Sequence, residues 1–88
     1  MGIAFKKYKR IFRRNLQPLF AVLAARRRSM DKATWTLLVD ETLRHVIDNP
    51  VEYVGTDLPH QQLIRDVIDE IRTEFLKESH TLLDVPPH

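Results

Sequence analysis

The side chains in this chain best suited to catalysis or metal binding are its four histidines, His45, His60, His80 and His88. Glu41 and His45 are spaced i and i+4, so on a helix they share one face and could ligate zinc together with His60 or His80. The HExxH pattern is absent, and a Glu–His pair at this spacing is common on solvated helix faces. The sequence therefore predicts no metal site.

The chain also lacks most of the residues that covalent and nucleotide chemistry require. It has no cysteine, which excludes disulfides and thiolate metal sites. Its two glycines, Gly2 and Gly55, cannot form a glycine-rich phosphate loop. Ser29 and Ser79 lie in no motif that indicates a catalytic triad, which is recognised by geometry. We therefore predict a non-enzymatic protein that uses no cofactor.

Charge is distributed very unevenly along the chain. Residues 1–30 carry nine basic side chains and no acidic one, giving +9, whereas residues 31–88 carry five basic and twelve acidic side chains, giving −7. The nine basic residues are Lys6, Lys7, Lys9, Arg10, Arg13, Arg14, Arg26, Arg27 and Arg28. A segment with this composition predicts a polyanionic partner.

Nucleic acid is the partner that these residues favour. Basic side chains at helical spacing can neutralise several phosphates together, which gives salt-sensitive binding without any base recognition. Four aromatic residues lie between them and would supply the apolar part of an interface: Phe5, Tyr8, Phe12 and Phe20. Two of these, Tyr8 and Phe12, could stack on unpaired bases, although aromatic residues at this spacing also fit a buried helix face.

An acidic protein surface is the alternative partner, and the chain carries one itself. Five carboxylates recur near its C-terminal end: Asp66, Asp69, Glu70, Glu74 and Glu78. Several of them are spaced i and i+4 and would repel each other on a helix. The basic segment of the same chain or of a second copy would relieve this repulsion. The sequence thus also predicts a homo-oligomeric interaction module, such as an adaptor or inhibitor.

A membrane surface or an organelle is the third predicted destination. A basic amphipathic helix with Phe5, Phe12 and Phe20 on one face can lie on an anionic bilayer, and an arginine-rich start without acidic residues also resembles an organellar presequence. No run of about 18 apolar residues occurs, so no membrane-spanning helix is predicted. We predict a cytoplasmic location.

The elements that must position these residues are predicted to be helices throughout. Residues 1–30 form the basic amphipathic segment, residues 31–80 a helical hairpin and residues 81–88 a tail. Pro18 removes a backbone donor and clashes with the preceding turn, which predicts a kink or a break near residues 15–17. The fold class is therefore all-α, a small domain of three or four helices.

The hairpin is predicted to pair two antiparallel helices, at 32–48 and 60–79. Ser29 or Asp31 caps the first helix, residues 51–56 form a turn or short extended link, and Asp57 caps the second with Pro59 in its first turn. Apolar residues at steps of three and four mark the predicted buried faces. They are Phe5, Tyr8, Phe12, Leu16, Leu19, Phe20 and Leu23, then Trp35, Leu38, Val39, Leu43, Val46 and Ile47, then Leu63, Ile64, Val67, Ile68, Ile71 and Phe75.

Overall fold

Every regular element in the described part of the chain is helical. The computed structural model describes residues 3–55 and 60–83. The elements are α1 (Ile3–Arg26), a 3₁₀ turn (Arg27–Ser29), α2 (Lys32–Asp48), α3 (Pro50–Val54) and α4 (Gln61–Leu83). The prediction of an all-α fold is confirmed for these residues.

Helix α1 is continuous although Pro18 lies in its second half. The predicted break near residues 15–17 is therefore wrong, whereas a kink stays a prediction. A proline inside a helix costs about 3 kcal/mol or more. Leu16 and Leu23, on either side of it, are both buried in the same core, and burial of one such side chain stabilises by about 1.5–3 kcal/mol. Packing on both sides of Pro18 thus offsets the cost of keeping the helix intact.

Helix α2 begins and ends where the sequence predicts. The Asp31 carboxylate accepts hydrogen bonds from the Thr34 backbone N–H at 2.7 Å and from the Thr34 hydroxyl at 2.9 Å. The hydroxyl bond first, and then the backbone bond, lower the pKa of Asp31 below its ordinary value. At the other end, the Asn49 N–H donates to the carbonyl oxygen of His45 at 3.0 Å. Asp31, rather than Ser29, is the cap.

The link after α2 is a short helix, so the prediction of a turn or extended segment there is wrong. Pro50 occupies the first helical turn, where its missing N–H removes no hydrogen bond. Gly55 ends α3 at φ +68°, and its N–H donates to the Val51 carbonyl at 2.9 Å. Glycine adopts this left-handed conformation without steric cost. Helix α3 packs against α1 and α2.

Helix α4 is longer than predicted. It spans Gln61–Leu83 instead of 60–79, so residues 81–83 of the predicted tail are helical. The predicted cap at Asp57 with Pro59 and the remainder of the tail, residues 84–88, lie outside the described residues.

One hydrophobic core joins α1, α2 and α4. Twelve apolar side chains in the described ranges are buried, and all of them were predicted to lie on buried faces: Phe5, Phe12, Leu16, Leu23, Trp35, Val39, Leu43, Val46, Ile64, Val67, Ile68 and Ile71. Because four of the twelve come from α1, the basic segment packs against the later helices and does not extend away from them.

Trp35 links all three long helices. It is fully buried, and its Nε1–H donates to the Leu23 carbonyl oxygen of α1 at 2.7 Å. The Phe75 ring of α4 lies 5.7 Å from the Trp35 ring and 4.5 Å from Phe20. A residue near the start of α2 thus meets one in the second half of α4.

Candidate polyanion-binding surface

Helix α1 presents four of its cations to solvent on one side. Positions 6, 10 and 14 recur at i and i+4, and position 7 lies beside them, so the four side chains share one face. We call this set the exposed basic face: Lys6, Lys7, Arg10 and Arg14. Together with the half-buried Ile11, these side chains line a shallow depression on the surface. Within the described ranges, no carboxylate forms an ion pair with any of the four.

Two other cations of α1 form ion pairs with carboxylates of α4. The Lys9 Nζ lies 2.5 Å from Glu70 Oε1 and 2.7 Å from Glu74 Oε2, and Arg13 Nη1 lies 3.5 Å from Glu74 Oε1. We call these four residues the α1–α4 ion cluster. Its two cations are spaced i and i+4, as are its two carboxylates. Among the described residues, the acidic helix α4 thus pairs with Lys9 and Arg13 of the basic segment.

The ion cluster shifts the ionisation of its central lysine. Hydrogen bonds from Lys9 to Glu70, and then to Glu74, raise the pKa of Lys9 above its ordinary value of 10.5. The side chain of Lys9 is 19% exposed, so water solvates this ammonium less than it solvates those of the exposed basic face.

A pH-dependent stability follows for Lys9. Because its pKa is higher in the folded protein, its contribution to stability is complete below pH 10.5 and is lost as the pH rises through the folded value. We expect Lys9→Met to lower the free energy of unfolding by about 1 kcal/mol at pH 7. The difference from the wild type should shrink at pH 11.5. Urea unfolding at both pH values measures it.

The control for Lys9 is Lys6→Met, on the same helix but without a carboxylate partner among the described residues. This variant should match the wild type within about 0.5 kcal/mol at both pH values. A Lys9→Met deficit that persists unchanged at pH 11.5 would contradict the assignment.

The other three predicted cations, at the end of α1 and in the 3₁₀ turn that follows it, also differ in their contacts. The Arg27 guanidinium lies over the Trp35 ring, 5.5 Å from its centroid, and is half-buried. Arg26 and Arg28 are exposed. Cations at the C-terminal end of α1 also interact favourably with the helix dipole, because the last carbonyls carry partial negative charge. Arg27 therefore has a structural contact, whereas Arg26 and Arg28 remain accessible to a partner.

The predicted interface aromatics lie mainly in the protein's own core. Phe12 is fully buried and Phe5 is 7% exposed. Tyr8 and Phe20 are half-buried, and Lys7 Nζ lies 5.8 Å from the Tyr8 ring centroid. The spacing of these aromatics therefore reflects a buried helix face, which was the alternative to base stacking. The solvent-facing side of α1 is basic.

The histidine and carboxylate side chains considered for zinc have other partners. Glu41 pairs with Arg44 at 3.4 Å, and His45 Nδ1 lies 2.8 Å from the Tyr53 hydroxyl oxygen. His60 Nδ1 accepts a long hydrogen bond of 3.4 Å from the Leu63 N–H. In the described part of the chain, no three potential ligands come together at a point where they could hold a metal ion.

Sequence reasoning missed the contacts that join residues far apart in the chain. Arg72 Nε donates to Asp40 Oδ1 at 2.5 Å, and this bond raises the pKa of Arg72 further. The pair lies at one end of a groove of about 550 Å³ between α2 and α4, whose rims carry charges of both signs. The two residues are 32 positions apart and lie on different helices, so no local spacing in the sequence would have identified this pair.

None of the described helices is long and apolar enough to cross a bilayer. Comparison of the chain with protein-family models, with curated proteins and with solved structures found no match.

Proposed function

We propose that this protein is a non-enzymatic binding or regulatory module. Its exposed basic face on α1 binds a polyanionic partner, and that partner is nucleic acid. The observation that carries the proposal is the division of cations on α1. Lys9 and Arg13 are paired with carboxylates of α4, whereas the four cations of the exposed basic face have no such pair among the described residues. Four like charges on one helix face repel each other, so a phosphate backbone would stabilise them.

Helical geometry suits this face to a chain of phosphates. Lys6 and Arg14 are eight residues apart, which is about 12 Å along the helix axis. The helix is held by the core on its opposite side, so the cations project from a fixed scaffold. Fixing the scaffold in advance reduces the ordering cost of binding. Arg26 and Arg28 extend the positive charge toward the other end of α1.

The burial of the aromatics favours nucleic acid over a membrane surface. An interfacial helix inserts large apolar side chains between the lipid headgroups. Of the three residues predicted to do so, Phe5 and Phe12 are buried against the other helices and Phe20 is half-buried against the core. Ile11 on the basic face is also half-buried. Membrane binding would require α1 to leave the core. The cytoplasmic location remains a prediction that accompanies the proposal.

An acidic helix of a protein, including a second copy of this chain, is the second candidate partner. The α1–α4 ion cluster favours it, because two cations at i and i+4 already accommodate two carboxylates at i and i+4. The exposed basic face repeats that cation spacing at positions 6, 10 and 14. Light scattering at 50 mM salt tests the homo-oligomer, and a monomer mass would contradict it.

The proposal is tested by fluorescence anisotropy with a labelled nucleic acid of about 20 nucleotides or base pairs. We expect binding at 50 mM salt that weakens steeply by 200 mM, since four phosphate contacts give a log–log slope of about −3.6 on a duplex. The absence of binding to any nucleic acid at 50 mM salt would overturn the proposal.

A further inference from the structure

All seven Phe, Tyr and Trp side chains of the protein lie inside or against its core. Phe5, Phe12 and Trp35 are buried. The remaining four, Tyr8, Phe20, Tyr53 and Phe75, are partly buried and pack against it. Proteins that bind single strands stack successive bases on accessible aromatic rings. The exposed basic face offers no such ring beyond the half-buried Tyr8.

We propose that the ligand of the exposed basic face is a duplex nucleic acid, held by its phosphates in preference to a single strand. This inference rests on the proposed function and names its substrate class. It departs from the sequence-based hypothesis in which Tyr8 and Phe12 stack on unpaired bases, because Phe12 is fully buried. The face can then gain affinity only from charge and polar contacts.

The density of phosphate charge along the ligand also favours a duplex over a single strand. The exposed basic face spans about 12 Å of helix axis. A duplex carries one negative charge per 1.7 Å of its axis, or about seven over that length, whereas a stacked single strand carries about 3.5. Along its axis, a duplex therefore has about twice the phosphate density of a single strand.

The rigidity of α1 also favours a duplex over a single strand. Helix α1 is fixed by Phe12 and Leu16, which are fully buried, so the spacing of its cations does not adapt to the ligand. A duplex presents phosphates at regular positions without further ordering, whereas a single strand must be ordered on binding and loses conformational entropy. Without stacking, only the phosphate contacts of the four cations remain to offset that loss.

The test compares four labelled ligands of one mixed sequence at 50 mM salt, each with the wild-type protein: a 20-base-pair DNA duplex, the equivalent RNA duplex, and the single strands of each. We expect at least one duplex to bind about tenfold or more tightly than its single strand, with a log–log salt slope of about −3.6. Comparison of the two duplexes distinguishes DNA from RNA.

Equal or tighter binding of the single strands would overturn the duplex inference while leaving the proposed function intact. Failure of all four ligands to bind would instead overturn the proposed function. As a check that the aromatics stay in the core, Trp35 emission should remain unchanged on duplex binding, and a large red shift would show that the core opens and would contradict the inference.

Discussion

Replacing Trp35 by alanine is expected to lower the free energy of unfolding by about 3–5 kcal/mol. The side chain is fully buried at the point where α1, α2 and α4 meet. An 88-residue protein typically has a stability of about 4–13 kcal/mol in total, so the variant should lose a large part of it. Urea unfolding followed by circular dichroism measures the loss.

Leu37→Ala is the matched control for Trp35→Ala. Leu37 lies two residues further along α2 and is 64% exposed, so its truncation should change stability by no more than about 0.5 kcal/mol. A Trp35→Ala loss as small as that of the control would contradict the assignment of Trp35 to the core.

Trp35→Phe keeps an aromatic ring and removes the indole donor, so it remains informative if the alanine variant does not fold. The Leu23 carbonyl would lose the hydrogen bond that it accepts at 2.7 Å. A hydrogen bond of this kind contributes about 0.5–1.5 kcal/mol to stability. A loss in that range is expected, and a variant as stable as the wild type would show that the bond contributes nothing.

Replacing the exposed basic face by alanine, as the quadruple variant K6A/K7A/R10A/R14A, is expected to weaken binding to duplex nucleic acid about 100-fold or more at 50 mM salt. Non-specific binding of this kind comes almost entirely from phosphate contacts. With four contacts, a salt increase from 50 to 200 mM alone should weaken wild-type binding by about 150-fold. The variant should also show a much flatter salt dependence, measured by anisotropy titration.

The matched control removes four cations from the rest of the chain, as K32A/R44A/R65A/K77A. Both quadruple variants lose four positive charges, so both change the formal net charge from +2 to −2. We expect the control to bind within about threefold of the wild type, because the local arrangement of cations determines phosphate contacts. Equal losses in the two variants would show that net charge, and not the exposed basic face, governs binding. Circular dichroism establishes that each variant is folded.

The sequence predicted the helices well because their apolar residues follow the helical period over long stretches. Helix α2 was predicted to the residue, since Asp31 is a strong cap and Asn49 precedes a proline. The short α3 was missed because a five-residue helix has too few turns for periodicity to be visible. The last four residues of α4, 80–83, were missed as well.

The candidate site was predictable only in part. Its residue types came from the charge pattern, and all nine cations were candidates. Which of them remain available depends on the rotation of α1 about its axis when Phe12 and Leu16 enter the core. That rotation turns Lys9 and Arg13 toward α4 and leaves the exposed basic face outside.

The sequence by itself therefore determined the all-α class, the buried faces and the concentration of positive charge in the first thirty residues, because local spacing encodes all three. Only the tertiary structure decided that α1 continues through Pro18 and that the aromatics are used for packing. It also decided that Lys9, Arg13 and Arg27 have partners within the chain. The physical reason is that these outcomes depend on contacts between helices far apart in sequence, whose packing energy exceeds local preferences.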